Sequence, residues 1–201
     1  GGIARLLKNL MDGELIYEDI YTVAGVGLSH YTKVPTLGAS QGSELQWEKL
    51  VTHSQPLRSI TTADKPYKPN GGIKFIGGDI AEGLIKVSAL KNENETISAP
   101  VRVFLTQDEV LDAYERDELN QDMILVLLGQ SPSINGMPEL HKLTSPINVL
   151  QTRGYKIALI TDGRMSGASG SFPALIHAVS ENNNLYKIRT GDILTLDLKE
   201  R

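Results

Sequence analysis

Residues 3 to 11 carry Ile3, Leu6, Leu7, Leu10 and Met11 at helical spacing, with Gly13 following as a stop, so a short amphipathic helix is predicted there. From about 14 to 70 the pattern weakens. Gly25, Gly27, Pro35, Gly38, Gly42, Pro56, Pro66 and Pro69 interrupt it, which predicts mostly loops with short helical turns. After Pro69-Asn70-Gly71-Gly72 the character changes. Strands are predicted at Ile73 to Ile76, Leu84 to Leu90 and Ile97 to Leu105, with a Gly77-Gly78-Asp79 turn between the first two. Thr106 opens a helix to about Arg116, because its hydroxyl can cap the exposed amides while Glu109 reaches back to complete a capping box. Met123 to Leu128 and Lys156 to Thr161 are continuous apolar runs that read as buried strands. Residues 138 to 152 look helical with a break near Pro146, and Tyr186 to Arg189 and Ile193 to Leu198 flank a corner at Thr190-Gly191-Asp192. The fold predicted is mixed α and β and strand-rich, a closed or nearly closed β-barrel core flanked by a few helices.

Composition narrows the function classes. A chain of 201 residues buries roughly 70% of its extended surface if it folds as a domain. With 40% hydrophobic and 22% charged residues it is neither a disordered tail nor a coiled coil. Only three Phe and one Trp leave Leu, Ile and Val to fill the core. A net charge of -4, with lysines spread along the chain, gives no basic stripe for a nucleic-acid backbone. No run of about 18 apolar residues is present and the start lacks the pattern of a signal peptide, so a soluble, cytoplasmic protein without a membrane partner is expected. The absence of Cys removes disulfides, thiol nucleophiles and thiolate-held clusters from anything this chain does by itself.

Two loops after buried strands carry the candidate chemistry. The first runs from Gly129 to His141, and Glu139 in it is predicted in the first turn of a helix that Pro138 can start. There an acid can merely complement the helix dipole, or it can ligate a hard divalent cation such as Mg²⁺, for which one carboxylate is insufficient. The second, Thr161 to Gly170, surrounds Ser166 and Ser169 with Gly163, Gly167, Ala168 and Gly170. Such a loop lets a ligand approach the backbone and points amides into one concavity suited to anions, or it is a tight glycine-serine corner and nothing more. It lacks the Gly-Lys-Ser/Thr ending of a P-loop, and neither serine stands in a Gly-x-Ser-x-Gly elbow. Arg164 can bind a carboxylate or phosphate bidentately or form a surface salt bridge, and His141 can shuttle protons or simply be hydrogen-bonded in a helix.

The strings Asn135 to Leu143 and Thr161 to Gly170 resemble the signature segments of the dihydroxy-acid and phosphogluconate dehydratase family, the first pointing to its phosphogluconate branch. The resemblance extends over nearly the whole chain, including Asp19 to Leu28, Gly71 to Ala89 and the corner from Ile188 to Leu196. It implies a C-terminal barrel of the swivelling β/β/α type over residues 31–201, with residues 1–30 the closing helix and linker of a preceding domain. It also implies an iron-sulfur-dependent hydro-lyase that eliminates water from 6-phosphogluconate. By that resemblance Ser166 is the base that takes the C2 proton, Glu139 is a Mg²⁺ ligand, and Arg164, Gly167 and Ser169 contact substrate. The cluster's cysteines belong to the family's N-terminal domain, so this chain is expected to need that domain as partner, to be inactive alone, and to form a homodimer when full-length.

Some positions depart from the family pattern. Gln130-Ser131-Pro132-Ser133 stands where Gln-Gly-Pro-Lys is usual, Ser171 where a lysine commonly follows the second loop, and Asp79 where a Gly-Asn pair is usual after Gly78. Two positive charges beside a phosphorylated acid are thereby lost. A dehydratase for a dihydroxy acid or an unphosphorylated sugar acid, and a non-catalytic binding or scaffold domain, therefore stand as alternatives.

Overall fold

The computed structural model describes residues 2–37, 44–50, 60–68, 71–87, 90, 96–166 and 172–199. The chain divides into two compact units, Gly1–Pro69 and Asn70–Arg201. This is a division by compactness; the boundary after residue 30 expected from the family resemblance is a different one.

In the first unit, helix α1 (Gly2–Asp12) forms where predicted, and the Gly13 amide bonds the Asn9 carbonyl as it ends. Its apolar residues are not sealed, since Ile3 and Leu6 are exposed while Arg5 is buried. The stretch predicted as loops contains two small antiparallel sheets instead. Strands β1 (Tyr21–Thr22) and β2 (Gly25–Val26) form one, and β3 (Lys33–Leu37) and β4 (Leu45–Lys49) the other, with a 3-10 turn at Ser29–Thr32 between them. Pro35 pairs with Trp47 in the second hairpin, and a two-stranded ribbon tolerates a proline because each strand has an open edge.

The second unit is built on a curled seven-stranded sheet flanked by helices, the strand-rich, barrel-like core predicted. Its elements are β5 (Ile73–Gly77), β6 (Glu82–Lys86), β7 (Thr96–Phe104), α2 (Gln107–Glu115), β8 (Met123–Leu127), α3 (Pro132–Asn135), α4 (Thr144–Thr152), β9 (Ile157–Thr161), β10 (Ala174–Val179) and β11 (Ile193–Asp197). The strand order is β11-β7-β8-β9-β10-β6-β5. The central strands β7, β8, β9 and β10 are parallel, and β11, β6 and β5 are added antiparallel at the edges.

Parallel strands joined through helices are covered on both faces, which is why β8 and β9 are apolar at nearly every position. Alternate side chains divide between two cores. Ile124, Val126, Ala158 and Ile160 pack with Ile85, Val101 and Leu196 inside the curl. Met123, Leu125, Leu127, Ile157 and Leu159 meet Val110 and Ala113 of α2 and Ile147 and Leu150 of α4 outside it. The two sheet ends do not pair; Phe75 and Ile76 of β5 face Leu194 and Leu196 of β11 across an open cleft of about 510 Å³.

The local predictions for α2 hold with one change. The Glu109 amide donates to the Thr106 hydroxyl at 3.2 Å, but the Glu109 carboxylate accepts from the Leu105 amide at 2.9 Å rather than from Thr106 itself. Pro146 causes no break, because it lies in the first turn of α4, where its missing N–H would be unpaired anyway. Residues 138 to 140 lie outside any helix, and between them and α4 stands a 3-10 turn at His141–Leu143. Tyr186 belongs to 3-10 turns over Glu181–Lys187, not to a strand, and the corner at Thr190-Gly191 closes with the Asp192 amide on the Arg189 carbonyl. Strand β10 has no counterpart in the sequence reading. Among the described residues no helix is long and apolar enough to cross a membrane.

Candidate active site

Because β7 to β10 are parallel, the segments that leave their C-terminal ends gather at one end of the sheet, where ligands of open α/β sheets usually bind. Those segments include Leu105 to Gln107, Gly129 to Ser131 and Asp162 to Ser166. Both signature loops therefore start from adjacent strands.

Glu139 is not in a helical turn. It forms a parallel bridge with Arg164, so the two loops are zipped backbone to backbone where a dipole-complementing acid was one of the readings. The bridge carries the half-buried Glu139 carboxylate to Ser166, whose amide donates to Oε1 at 2.7 Å. The Arg164 Nε donates to the Met137 carbonyl at 3.1 Å, and the exposed guanidinium reaches out from the same junction. Gln107 adds a longer bond, 3.4 Å, to the Glu139 carbonyl. Glu139, Arg164 and Ser166 are thus brought together from segments 27 positions apart. Gly167 and Ser169, expected to contact substrate, lie outside the described residues, as does Ser171. His141 opens its 3-10 turn exposed to solvent.

Glu139 offers a metal one oxygen. Oε1 takes the Ser166 amide and, among the described residues, Oε2 accepts no hydrogen bond. A hard cation suits such an oxygen. Among the described residues no three His, Asp or Glu side chains converge to complete a site, so this chain fits Mg²⁺ as one ligand of several. An iron-sulfur cluster finds no thiolate here, because the sequence has no Cys.

The sequence reading missed the centre of this arrangement. Asp162 is buried at 5% exposure, and its carboxylate accepts the amides of Gly129 at 3.2 Å, Gln130 at 2.9 Å and Ser131 at 3.2 Å, together with the Tyr186 hydroxyl at 2.8 Å. Burial, and then the carboxylate to which it donates, push the Tyr186 phenol above its ordinary pKa. Gln130, also buried, donates through Nε2 to the carbonyls of Leu105 at 2.7 Å and Leu128 at 3.0 Å and accepts from Asn135 at 3.1 Å. The signal for Asp162 was an acid directly after a buried strand, where burial demands donors.

A β-bulge supports the same junction. His177 has φ 52° and lies, with Ala178, opposite Gly83 in the β10 to β6 pairing, and its amide bonds the Gly163 carbonyl at 2.9 Å. A Cβ on Gly83 would stand 2.8 Å from the Ile176 carbonyl oxygen, so only glycine admits this bulge. The open cleft between the sheet ends is lined by none of Glu139, Arg164 or Ser166.

Comparison with known proteins gives a consistent match. Residues 58–201 fit the family model described as Dihydroxy-acid/6-phosphogluconate dehydratase C-terminal. The chain is 42% identical to Phosphogluconate dehydratase of Pseudomonas aeruginosa over 200 residues, 98% of this chain and 32% of that protein. It is 42% identical to the protein of that name in Escherichia coli, of which it covers 33%. Dihydroxy-acid dehydratase of Parvibaculum lavamentivorans is 28% identical over 204 residues, 32% of its length. The chain spans about a third of the length of the curated relatives it matches.

Proposed function

The chain belongs to the dihydroxy-acid/6-phosphogluconate dehydratase C-terminal family, and from that premise we propose that it is the C-terminal part of a dehydratase converting 6-phosphogluconate to 2-keto-3-deoxy-6-phosphogluconate. The contrast between 42% identity to relatives named for phosphogluconate and 28% to one named for dihydroxy acids supports that substrate. The observation that carries the reading is the Ser166 amide on the Glu139 carboxylate at 2.7 Å, because it puts the proposed base beside the proposed metal ligand.

Ser166 accepts the proton from C2 through its hydroxyl oxygen, the C2–H electron pair becomes the C2=C3 bond, and the C3 hydroxyl leaves and is protonated to water. The enol then loses its C2 hydroxyl proton and gains one at C3, giving the ketone. A serine oxygen is basic enough only where positive charge and donors stabilise its alkoxide, and the nearby Glu139 carboxylate opposes that. Arg164 supplies a permanent charge two positions before Ser166 and a planar fork for the substrate's carboxylate or phosphate. By the family resemblance, Gly167 and Ser169 are proposed to contact the substrate as well. When bound, Mg²⁺ on Glu139 supplies further positive charge beside the substrate, and an iron-sulfur cluster held by another domain supplies the Lewis acid for the departing hydroxyl.

In this reading residues 1–30 close a preceding domain, residues 31–201 form the C-terminal barrel domain, and the fragment alone is inactive. Exposed Ile3, Leu6, Tyr17, Tyr21, Val23 and Trp47 in the first unit support a partner domain, since that much apolar surface is costly in water. The whole enzyme is proposed to be a cytoplasmic homodimer acting in sugar-acid metabolism.

The test is full-length enzyme with its cluster loaded, assayed for 2-keto acid. Ser166→Ala lowers kcat about 10²- to 10⁴-fold, the usual worth of a general base. Undiminished turnover in a folded Ser166→Ala variant removes the catalytic role, and turnover of unphosphorylated acids alone overturns the substrate.

A further inference from the structure

We infer that Asp162 is the positioning residue of this site: its carboxylate anchors one end of the first loop to the end of β9, and so sets where Glu139 meets Ser166. Its effect on turnover rests on the dehydratase reading; the contacts do not.

The charge is buried, and among the described residues no ion pair neutralises it. Four donors do that instead, three of them consecutive backbone amides. Successive amides pointing into one concavity make a nest for an anion, and Gly129, at φ 78°, supplies the left-handed turn that starts it. The anion in this nest is the chain's own, so the nest is closed to a substrate phosphate.

From Ser131 the chain passes through α3 to Met137 and Glu139, where the second attachment lies: Arg164 Nε on the Met137 carbonyl and the Ser166 amide on Glu139. The loop from 129 to 139 is therefore held at both ends by residues 162 to 166. Among the described residues Asp162 is the charged group that the hydrogen bonds of the first attachment meet, and Glu139 the carboxylate at the second. Releasing the first leaves the second attachment alone to fix where Glu139 meets Ser166, and a misplacement of about 1 Å costs roughly 100-fold in rate.

Asp162→Asn tests this at constant size. An amide side chain keeps one acceptor oxygen and turns an NH2 towards at least one of the four donors. In the cluster-loaded full-length enzyme, Asp162→Asn is expected to lower kcat per folded molecule by about 10- to 100-fold with KM changed less than about threefold. Hydrogen exchange at the Gly129, Gln130 and Ser131 amides is expected to speed up at least about tenfold, the equivalent of about 1.4 kcal/mol. If Asp162→Asn does not fold, Ser131→Pro removes a single donor. Ser131 already has φ -63°, the value proline fixes, and Ser131→Ala, which keeps the amide, is its reference. Ser131→Pro is expected to lose at least about threefold in kcat relative to Ser131→Ala.

Unchanged exchange in Asp162→Asn, or kcat per folded molecule within twofold of the parent, overturns the inference, as does equal kcat in the two Ser131 variants. If the parent enzyme dehydrates no sugar acid, the dehydratase reading fails, while amide exchange still decides whether Asp162 holds the loop.

Discussion

Gly163 sits between the two loops with no room for a methyl group. A Cβ built on it would lie 2.7 Å from the Gln130 Cβ and 3.2 Å from both the Leu140 Cδ1 and the Thr161 Oγ1. Two carbons need about 3.5 Å, so the first contact alone is short by most of an ångström. The far end of a long side chain could swing away, but a Cβ moves only with its backbone. The Gln130 backbone is held by Asp162 and its side chain by three further hydrogen bonds. Overpacking of a core typically costs 1–3 kcal/mol, and this site belongs at the upper end, about 3 kcal/mol for Gly163→Ala. For a protein of this size each kcal/mol lowers Tm by about 2–4 °C, so calorimetry should show a fall of about 6–12 °C. The mechanism can be isolated with a double-mutant cycle. On a Gln130→Gly background the opposing Cβ is gone, and Gly163→Ala should cost at least about 1.5 kcal/mol less than in the parent, a coupling expected of residues in contact. A fall in Tm below about 2 °C, or an equal cost on both backgrounds, refutes the reasoning. Gly154→Ala is the contrast: its φ is 101° and no heavy atom lies within 4 Å, so only backbone strain of about 1–2 kcal/mol opposes it.

Two further outcomes follow from pairs elsewhere in the second unit. Arg116 first, through a hydrogen bond at 2.6 Å, and then Arg102 hold the Glu118 carboxyl down at about 2. A depressed carboxyl contributes stability that is present above its unfolded pKa, near 4.5, and disappears as pH falls towards 2. The Tm gap between the parent and Glu118→Gln should therefore shrink across that window, and a gap independent of pH removes the ion pairs as its cause. Thr106→Ala leaves the Glu109 amide uncapped and should cost about 1 kcal/mol in chemical denaturation, with Thr106→Ser near the parent. Equal stability of Thr106→Ala and parent would show that the cap is replaced by water.

How much of this was legible beforehand depends on the range over which each feature is encoded. The run Met123 to Leu127 is buried at every position because both faces of the sheet are covered, and a continuous apolar run reports that directly. The Thr106 cap and the helix α1 depend on neighbours within four residues, and the periodicity and capping chemistry contain them. The two hairpins of the first unit were hidden because proline and glycine read as breakers, whereas a two-stranded ribbon accommodates Pro35 at an open edge.

The site divides in the same way. The sequence by itself supplied the candidates: a serine, a glutamate and an arginine in glycine-rich loops after buried strands, and, through family resemblance, the roles proposed for Ser166 and Glu139. Tertiary structure alone decided their relation. Local pattern predicted Glu139 in a helical first turn, but pairing with Arg164 across the sheet end made it extended and turned its carboxylate to the Ser166 amide. Asp162 was no more conspicuous than any acid after a strand until parallel packing of β8 and β9 brought three amides from 31 to 33 positions away onto it. Contacts between segments so far apart depend on strand order and register, and those are set by burying both faces of one sheet at once rather than by the periodicity of any single segment.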